Sequence, residues 1–153
     1  MSHPYTLRVA TEDDYDFLYA LHVATIRAAV EATWGWDEAF QAQRFRDHFV
    51  ASANQIIVVD GQDAGVFKLE ERDGDCFLGL IEILPAYQNR GLGSQVIGDV
   101  VAGAFARGRA VSLHVLKANQ AARRLYERLG FGIAEERAER YVMRLAPPAD
   151  AEE

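Results

Sequence analysis

The chain has 153 residues, half of them apolar, with 23 acidic against 16 basic side chains and a formal net charge of −7. That size suits one buried core in one domain, and the acidic balance opposes nucleic-acid and anionic-membrane partners while mildly favouring a cationic ligand. Cys76 is the only cysteine, so no internal disulfide or CxxC pair exists; a buried, inert thiol is the expectation, and no metal is expected.

In chain order, a short extended start around Leu7-Arg8-Val9 gives way to Thr11 and Asp14, spaced like a variant capping box. Leu18, Leu21, Thr25 and Ala29 then recur at helical spacing, predicting a helix to about Val30. The Trp34-Gly35-Trp36-Asp37 segment is expected as a turn, followed by a second helix to about Ala51 with Ala42, Phe45 and Phe49 on one side. From Asn54 the period changes. The β-branched run Ile56-Ile57-Val58-Val59, the punctuating Gly61 and Gly65, and Val66-Phe67-Lys68-Leu69 read as two hairpin-linked strands.

A central strand is predicted from Cys76 to Leu84, closed by Pro85, which cannot donate to a ladder. Leu92, Val96, Val100, Ala104 and Phe105 mark a helix that Gly108 stops. Val111–Val115 is a short strand, Asn119 caps a helix whose inner face is Ala122, Leu125 and Leu129, and Tyr141–Leu145 alternates like a last strand. The order β-α-α-β-β-β-α-β-α-β-β predicts an α/β fold with a mixed, mostly antiparallel sheet of about seven strands and helices on both faces. Residues 1–146 are expected as one domain, with residues 147–153 a frayed acidic tail. No run approaches the roughly 20 apolar residues of a membrane-spanning helix, and the first residues lack a secretory pattern. The cytoplasm is therefore the expected location.

The most informative stretch is Gln88-Asn89-Arg90-Gly91-Leu92-Gly93-Ser94, between the central strand and an amphipathic helix. Helix N-termini carry unpaired N–H groups and a positive dipole end, so such a loop can bind phosphate through main chain, and glycines permit close approach. Val96 stands where a dinucleotide fingerprint needs glycine, and no Gly-Lys-Ser/Thr follows for a nucleotide P-loop. A helix entry that merely wants glycine is the plainer alternative.

This loop resembles the Q/R-x-x-G-x-G/A signature of the GNAT acetyltransferase superfamily. Leu113-His114-Val115, Asn119, Ala122, Leu125-Tyr126 and Leu129-Gly130-Phe131 are similar to that family's second motif, and the element order matches its fold. The resemblance implies a loop that holds the pyrophosphate of coenzyme A, with Gln88 to Ser94 as its residues. It further implies a central strand that parts from its neighbour near a bulge, offering main chain at about Ile81, Ile83 and Leu84 to the pantetheine arm. Acetyl-CoA is the implied cosubstrate, and direct transfer to a primary amine of a small molecule or peptide is the implied reaction.

By the same resemblance the Tyr126 hydroxyl lies near the CoA sulfur, able to protonate the leaving thiolate; alternatively the ring only packs beside Leu125. Asn119 is either a cap alone or also a cofactor contact. Glu82, alternating out from between Ile81 and Ile83, is a candidate base, directly or through water, or an ordinary carboxylate of a solvated cleft. Glu70, Glu71 and His114 are weaker substitutes, and of the basic residues Arg90, Lys117, Arg123 and Arg124 only Arg90 is assigned to phosphate. Trp34, Trp36, Asp37 and Tyr141 fall where the family builds its acceptor pocket; equally, the tryptophans are core plugs and Asp37 a helix cap. A CoA-binding sensor or an interaction protein without transferase activity remains the alternative, and a homodimer is among the states the sequence allows.

Overall fold

The computed structural model describes residues 4–149. A seven-stranded sheet runs in the order β1-β2-β3-β4-β5-β7-β6, formed by β1 (Thr6–Val9), β2 (Gln55–Val59), β3 (Gln62–Glu71), β4 (Asp75–Ile83), β5 (Ala110–Leu116), β6 (Gly132–Glu136) and β7 (Arg140–Leu145). Only β4 and β5 pair in parallel; every other neighbouring pair is antiparallel. Among the described residues four α-helices complete it: α1 (Tyr15–Trp34), α2 (Glu38–His48), α3 (Leu92–Ala106) and α4 (Gln120–Arg128). This is the mixed α/β architecture that the element order predicts.

Strand alternation sorts the apolar residues between two cores. Ile56 and Val66 turn to one face and pack with Leu18 and Leu21 of α1 and with Phe45 and Phe49. Their neighbours Ile57 and Phe67 turn to the other face and join Leu92, Val96 and Ile97 of α3, Val111, Leu113 and Val115 of β5, and Leu125 of α4. A one-residue slip would exchange the two sets, so burial on both faces pins the register.

Several boundaries differ from expectation. Helix α1 continues past Val30 to Trp34, because Gly35, with φ of 82°, is the first residue that leaves helical geometry. Helix α2 stops at His48, short of Ala51, where Phe49 turns extended and Ala51–Ala53 forms a separate 3-10 turn. Gly65 lies inside β3 and ends no strand, although the pairing with β2 shifts register beside it, from Ile57 with Gly65 to Val58 with Asp63. A Cβ built on it would sit 2.5 Å from the Glu82 carbonyl oxygen, so the glycine serves close approach of β3 to β4. The tail expected from residue 147 has no regular structure through residue 149, and residues 150–153 lie outside the described residues. Among the described residues no helix is long and apolar enough to cross a membrane.

At the chain start, Thr11 N–H donates to the Asp14 carboxylate at 2.8 Å, as the capping spacing predicts. The same carboxylate takes two bonds from Arg8, at 3.0 and 2.8 Å, and Arg8 also reaches Asp63 at 2.8 Å. This cluster ties β1, the entry to α1 and the start of β3 together, and the guanidinium holds the Asp14 carboxyl below the usual carboxylate range.

Candidate active site

The site begins where the sheet divides. Lys68 pairs with Leu80 but Leu69 pairs with Leu78, leaving Gly79 without a partner on β3: a bulge on β4. At the same point β4 loses its other neighbour, since pairing with β5 ends at Leu78 with Leu113 although β5 runs on to Leu116. Beyond Leu78 no pairing joins the two strands.

Main-chain geometry then decides which groups face the gap. Leu84 N–H donates to Ala64 O at 2.8 Å, and with a period of two Glu82 and Leu80 also turn their amides toward β3. Ile81 and Ile83 therefore turn theirs toward the gap. The expectation for Leu84 is corrected here, because its N–H is taken by Ala64 and its carbonyl accepts from Tyr87 N–H at 2.8 Å. Ile83 O accepts from the Gln88 side chain at 2.8 Å, so Gln88 braces the strand end against the loop.

After a 3-10 turn at Pro85–Tyr87, the loop enters α3 with Asn89 and Gly91 both at positive φ, 62° and 82°. Gly91 is the N-cap, and no side chain caps the helix, so its first amides keep their donors. Gly93 is a glycine that the fold itself does not demand: a Cβ there would meet only Ile83 Cγ1 at 3.9 Å and Leu125 Cδ2 at 4.0 Å. Nothing at all lies within 4 Å of a Cβ built on Gly91. Arg90 sits with its guanidinium 5.7 Å from the Tyr87 ring, beside a recess of about 70 Å³ lined by Val59, Asp60, Tyr87, Arg90 and Leu92. A broader depression of about 730 Å³ lined by Leu7, Gln55, Phe67 and Leu69 lies toward the β1 edge, away from the loop.

Glu82 is 5% exposed. A carboxylate so enclosed needs a partner, and it has one that the sequence reading does not contain: His22 of α1, whose Nδ1 lies 2.7 Å from Glu82 Oε2. His22 stands four residues after Leu18 and one after Leu21, so the helical stripe carries it to the sheet. Its ring tilts on Phe45 at 5.2 Å. From α4, Tyr126 comes close enough for the Glu82 charge to act on it. Burial first, and that carboxylate second, push the phenol up to about 12. Its hydroxyl has no hydrogen-bond partner among the described residues, while its ring packs on Phe131 at 6.0 Å. Desolvation with no internal acceptor is what a hydroxyl reserved for a ligand would show.

The other candidates separate. Asn119 caps α4, its Oδ1 accepting from Ala122 N–H at 3.2 Å. Tyr141 belongs to the α3/α4 face, between Lys117 at 5.2 Å and Arg123 at 4.7 Å from its ring. Trp34 and Trp36 stand at the α1–α2 connection and belong to neither core, Trp34 being 56% exposed, which corrects the core-plug reading. Trp36 donates to Glu38 at 3.0 Å and carries Arg27 over its ring at 5.2 Å, and Asp37 caps α2 by accepting from Phe40 N–H. The structure thus does not bring Tyr141 together with the tryptophans. Glu70 and Glu71 are exposed and ion-paired, to Arg72 and to Arg107 and Arg109. His114 packs edge-on to Phe77 at 5.0 Å, with burial and nearby arginines lowering its pKa. Cys76 is fully buried between Glu71 and Arg107, its thiol pushed up by burial, and lies on the paired side of the bulge.

The FR47-like protein family matches residues 60–142, more than half of the chain. That span holds β4, the glycine loop, Asn119 and Tyr126, and the chain belongs to this GNAT-related family. Among solved structures it is similar to the PaiA N-acetyltransferase of Thermoplasma acidophilum in complex with coenzyme A, at 14% identity and a TM-score of 0.77 over 95% of this chain and 99% of that one. It is also similar to the ribosomal-protein-S18-alanine N-acetyltransferase of Escherichia coli, at 23% identity and a TM-score of 0.62 over 97% of each chain. A third is Arabidopsis thaliana Naa50 in complex with the bisubstrate analogue CoA-Ac-MVNAL, at 16% identity and a TM-score of 0.62 over 93% of this chain and 98% of that one. At such identities the likeness is one of fold. No curated protein sequence matches significantly.

Proposed function

We propose that residues 1–146 form one acetyltransferase domain that moves an acetyl group from acetyl-CoA to a primary amine of a small molecule or peptide, by direct attack with both substrates bound. One observation carries the reading: at Gly79 the sheet opens between β4 and β5, beside an uncapped helix start and between Glu82 and the unpartnered Tyr126 hydroxyl. Two neighbours of the same fold were solved with coenzyme A or with the bisubstrate analogue CoA-Ac-MVNAL.

In this reading the amides of Leu92, Gly93 and Ser94, with Asn89 and Arg90 beside them, receive the diphosphate at the positive end of α3. Ile81 and Ile83 pair through main chain with the pantetheine arm, as a strand would. An amine attacks only when neutral, so one proton must leave an ammonium substrate, and the Glu82 carboxylate is the group on which that loss depends. Tyr126, a phenol kept protonated throughout the neutral range, donates to the departing thiolate. Asn119 borders the same region from the start of α4. The acceptor enters from the α1/α2 side, where Trp34, Trp36 and Asp37 stand; Tyr141, on the other face, borders the β5–α4 end.

The test is CoA release from acetyl-CoA over amines of several classes, together with thermal melting in the presence of CoA. A native-state ligand at a hundred times its Kd stabilises by about 2.7 kcal/mol. Stabilisation with amine-dependent release supports the reading. Stabilisation without release by any amine favours a CoA-binding sensor, and no stabilisation removes the cofactor site itself.

A further inference from the structure

His22 has a place in that chemistry which family membership does not supply, since it lies outside the matched span 60–142. Its partner Glu82 is 60 positions away on β4 and almost sealed: 6% of the Glu82 side chain is exposed, against 24% of the His22 side chain. Of the two bonded groups the imidazole is therefore the one with more access to water, and to a proton leaving for it.

The hydrogen bond also fixes which nitrogen can act. A carboxylate in its ionised form only accepts, and against that form Nδ1, 2.7 Å from Glu82 Oε2, carries the hydrogen. The neutral ring then has its lone pair on Nε2, and Nε2 has no hydrogen-bond partner among the described residues. The second ring nitrogen of a histidine is set by what the first one bonds, and a carboxylate behind it both orients the ring and stabilises its cation.

We infer that His22 is the proton acceptor for the amine, with Glu82 the carboxylate that orients it and balances its charge. This rests on the acetyltransferase reading and sharpens it. The His22 Nε2 lone pair takes one proton from the substrate ammonium, and the neutral amine nitrogen bonds the acetyl carbon as the carbon–sulfur bond breaks. Tyr126 gives its proton to the sulfur and regains one from the acylated nitrogen, so each turnover leaves one proton on His22 for release to water. Among the described residues, the charged group bonded to the ring is Glu82 from β4, whose charge also acts on Tyr126 from α4. From α2 Phe45 faces the imidazole, with Tyr15 and Tyr19 of α1 packed on that same phenyl ring.

The experiment compares wild type, His22→Gln and Glu82→Gln in acetyl-CoA-dependent turnover from pH 6 to 10, using an amine identified in the screen. Gln can still donate to Glu82, so the fold is kept, and unchanged stabilisation by CoA verifies that. His22→Gln is expected to lower kcat by about a hundredfold near pH 7 with the KM for acetyl-CoA unchanged, as loss of a positioned base does. The deficit should shrink at high pH, where the amine is already neutral in solution; structural damage would persist at every pH. Nitrogen-15 spectra of the wild-type imidazole should show Nδ1 protonated and Nε2 bare, a preference lost in Glu82→Gln. Wild-type turnover with His22→Gln keeping its rate and pH profile overturns the inference alone, as does an Nε2-protonated ring. A wild type that releases no CoA with any amine overturns the transferase reading and this inference together.

Discussion

Gly91 lets the cofactor turn be tested by backbone geometry alone. Its φ of 82° lies in the left-handed region, and nothing stands within 4 Å of a Cβ built there, so a larger residue meets conformational cost and no clash. Holding a β-branched side chain in that region costs about 1–2 kcal/mol. In Gly91→Val the chain either bears this strain or leaves the left-handed region and swings the first amides of α3 out of line. If the strain is borne, melting falls by about 2–8 °C, at roughly 2–4 °C per kcal/mol for a domain of this size. If it is relieved at the expense of the site, the same energy weakens CoA binding by about five- to thirtyfold, since about 1.4 kcal/mol is a factor of ten. Gly91→Asn is the control, because asparagine tolerates the left-handed region. Calorimetric titration with CoA, run beside thermal melts of all three proteins, reads both effects. Wild-type affinity and wild-type melting in Gly91→Val would refute the assignment of this turn.

Tyr126→Phe should lower kcat by about a hundredfold, the lower end of what a positioned acid contributes, while leaving CoA affinity unchanged; steady-state kinetics beside calorimetric titration check it. Gly65→Ala forces a methyl to 2.5 Å from the Glu82 carbonyl oxygen, so β4 must shift. A loss of about 1–3 kcal/mol in urea unfolding is expected, with reduced turnover because the displaced strand carries Glu82. For Asp14, whose folded pKa is depressed by Arg8, the stabilisation is present above the ordinary value near 3.8 and lost as pH falls through the folded value. Asp14→Asn should therefore be less stable than wild type at pH 7, by about 1–3 kcal/mol for hydrogen bonds to a charged group. Melts repeated down to pH 2 should show that gap closing.

The strands and helices were legible because their signals are local. Ile56-Ile57 and Val66-Phe67 show two-sided burial as unbroken apolar runs, and α3 shows its inner face at Leu92, Val96 and Ala104. The glycine loop was legible because its amide donors belong to a contiguous stretch. Helix ends were less so, since Gly35 terminates α1 where Val30 looked like the last stripe residue. His22 was missed for a different reason: a lone histidine in a helix announces nothing until α1 is packed on β4. The clue available was its position on the Leu18–Leu21 stripe, where a polar side chain must meet something inside. The tryptophans misled as core plugs because their size suggests burial, whereas the α1–α2 connection projects them outward. Leu84 misled because sequence cannot say toward which neighbour a given amide turns.

The short parallel seam between β4 and β5 also shapes how the molecule assembles. Four residue pairs, Asp75 with Ala110 to Leu78 with Leu113, join the two halves of the sheet. Strand β5 otherwise relies on β7, which pairs with it from Val111 to Leu116 and comes from residues 140–145. During synthesis β2, β3 and β4 can zip into successive hairpins as they emerge, but Val115 and Leu116 have no strand beside them until Arg140 and Tyr141 arrive. A nascent chain halted before that point would expose a bare, apolar β edge, the kind of surface that draws chains into aggregates.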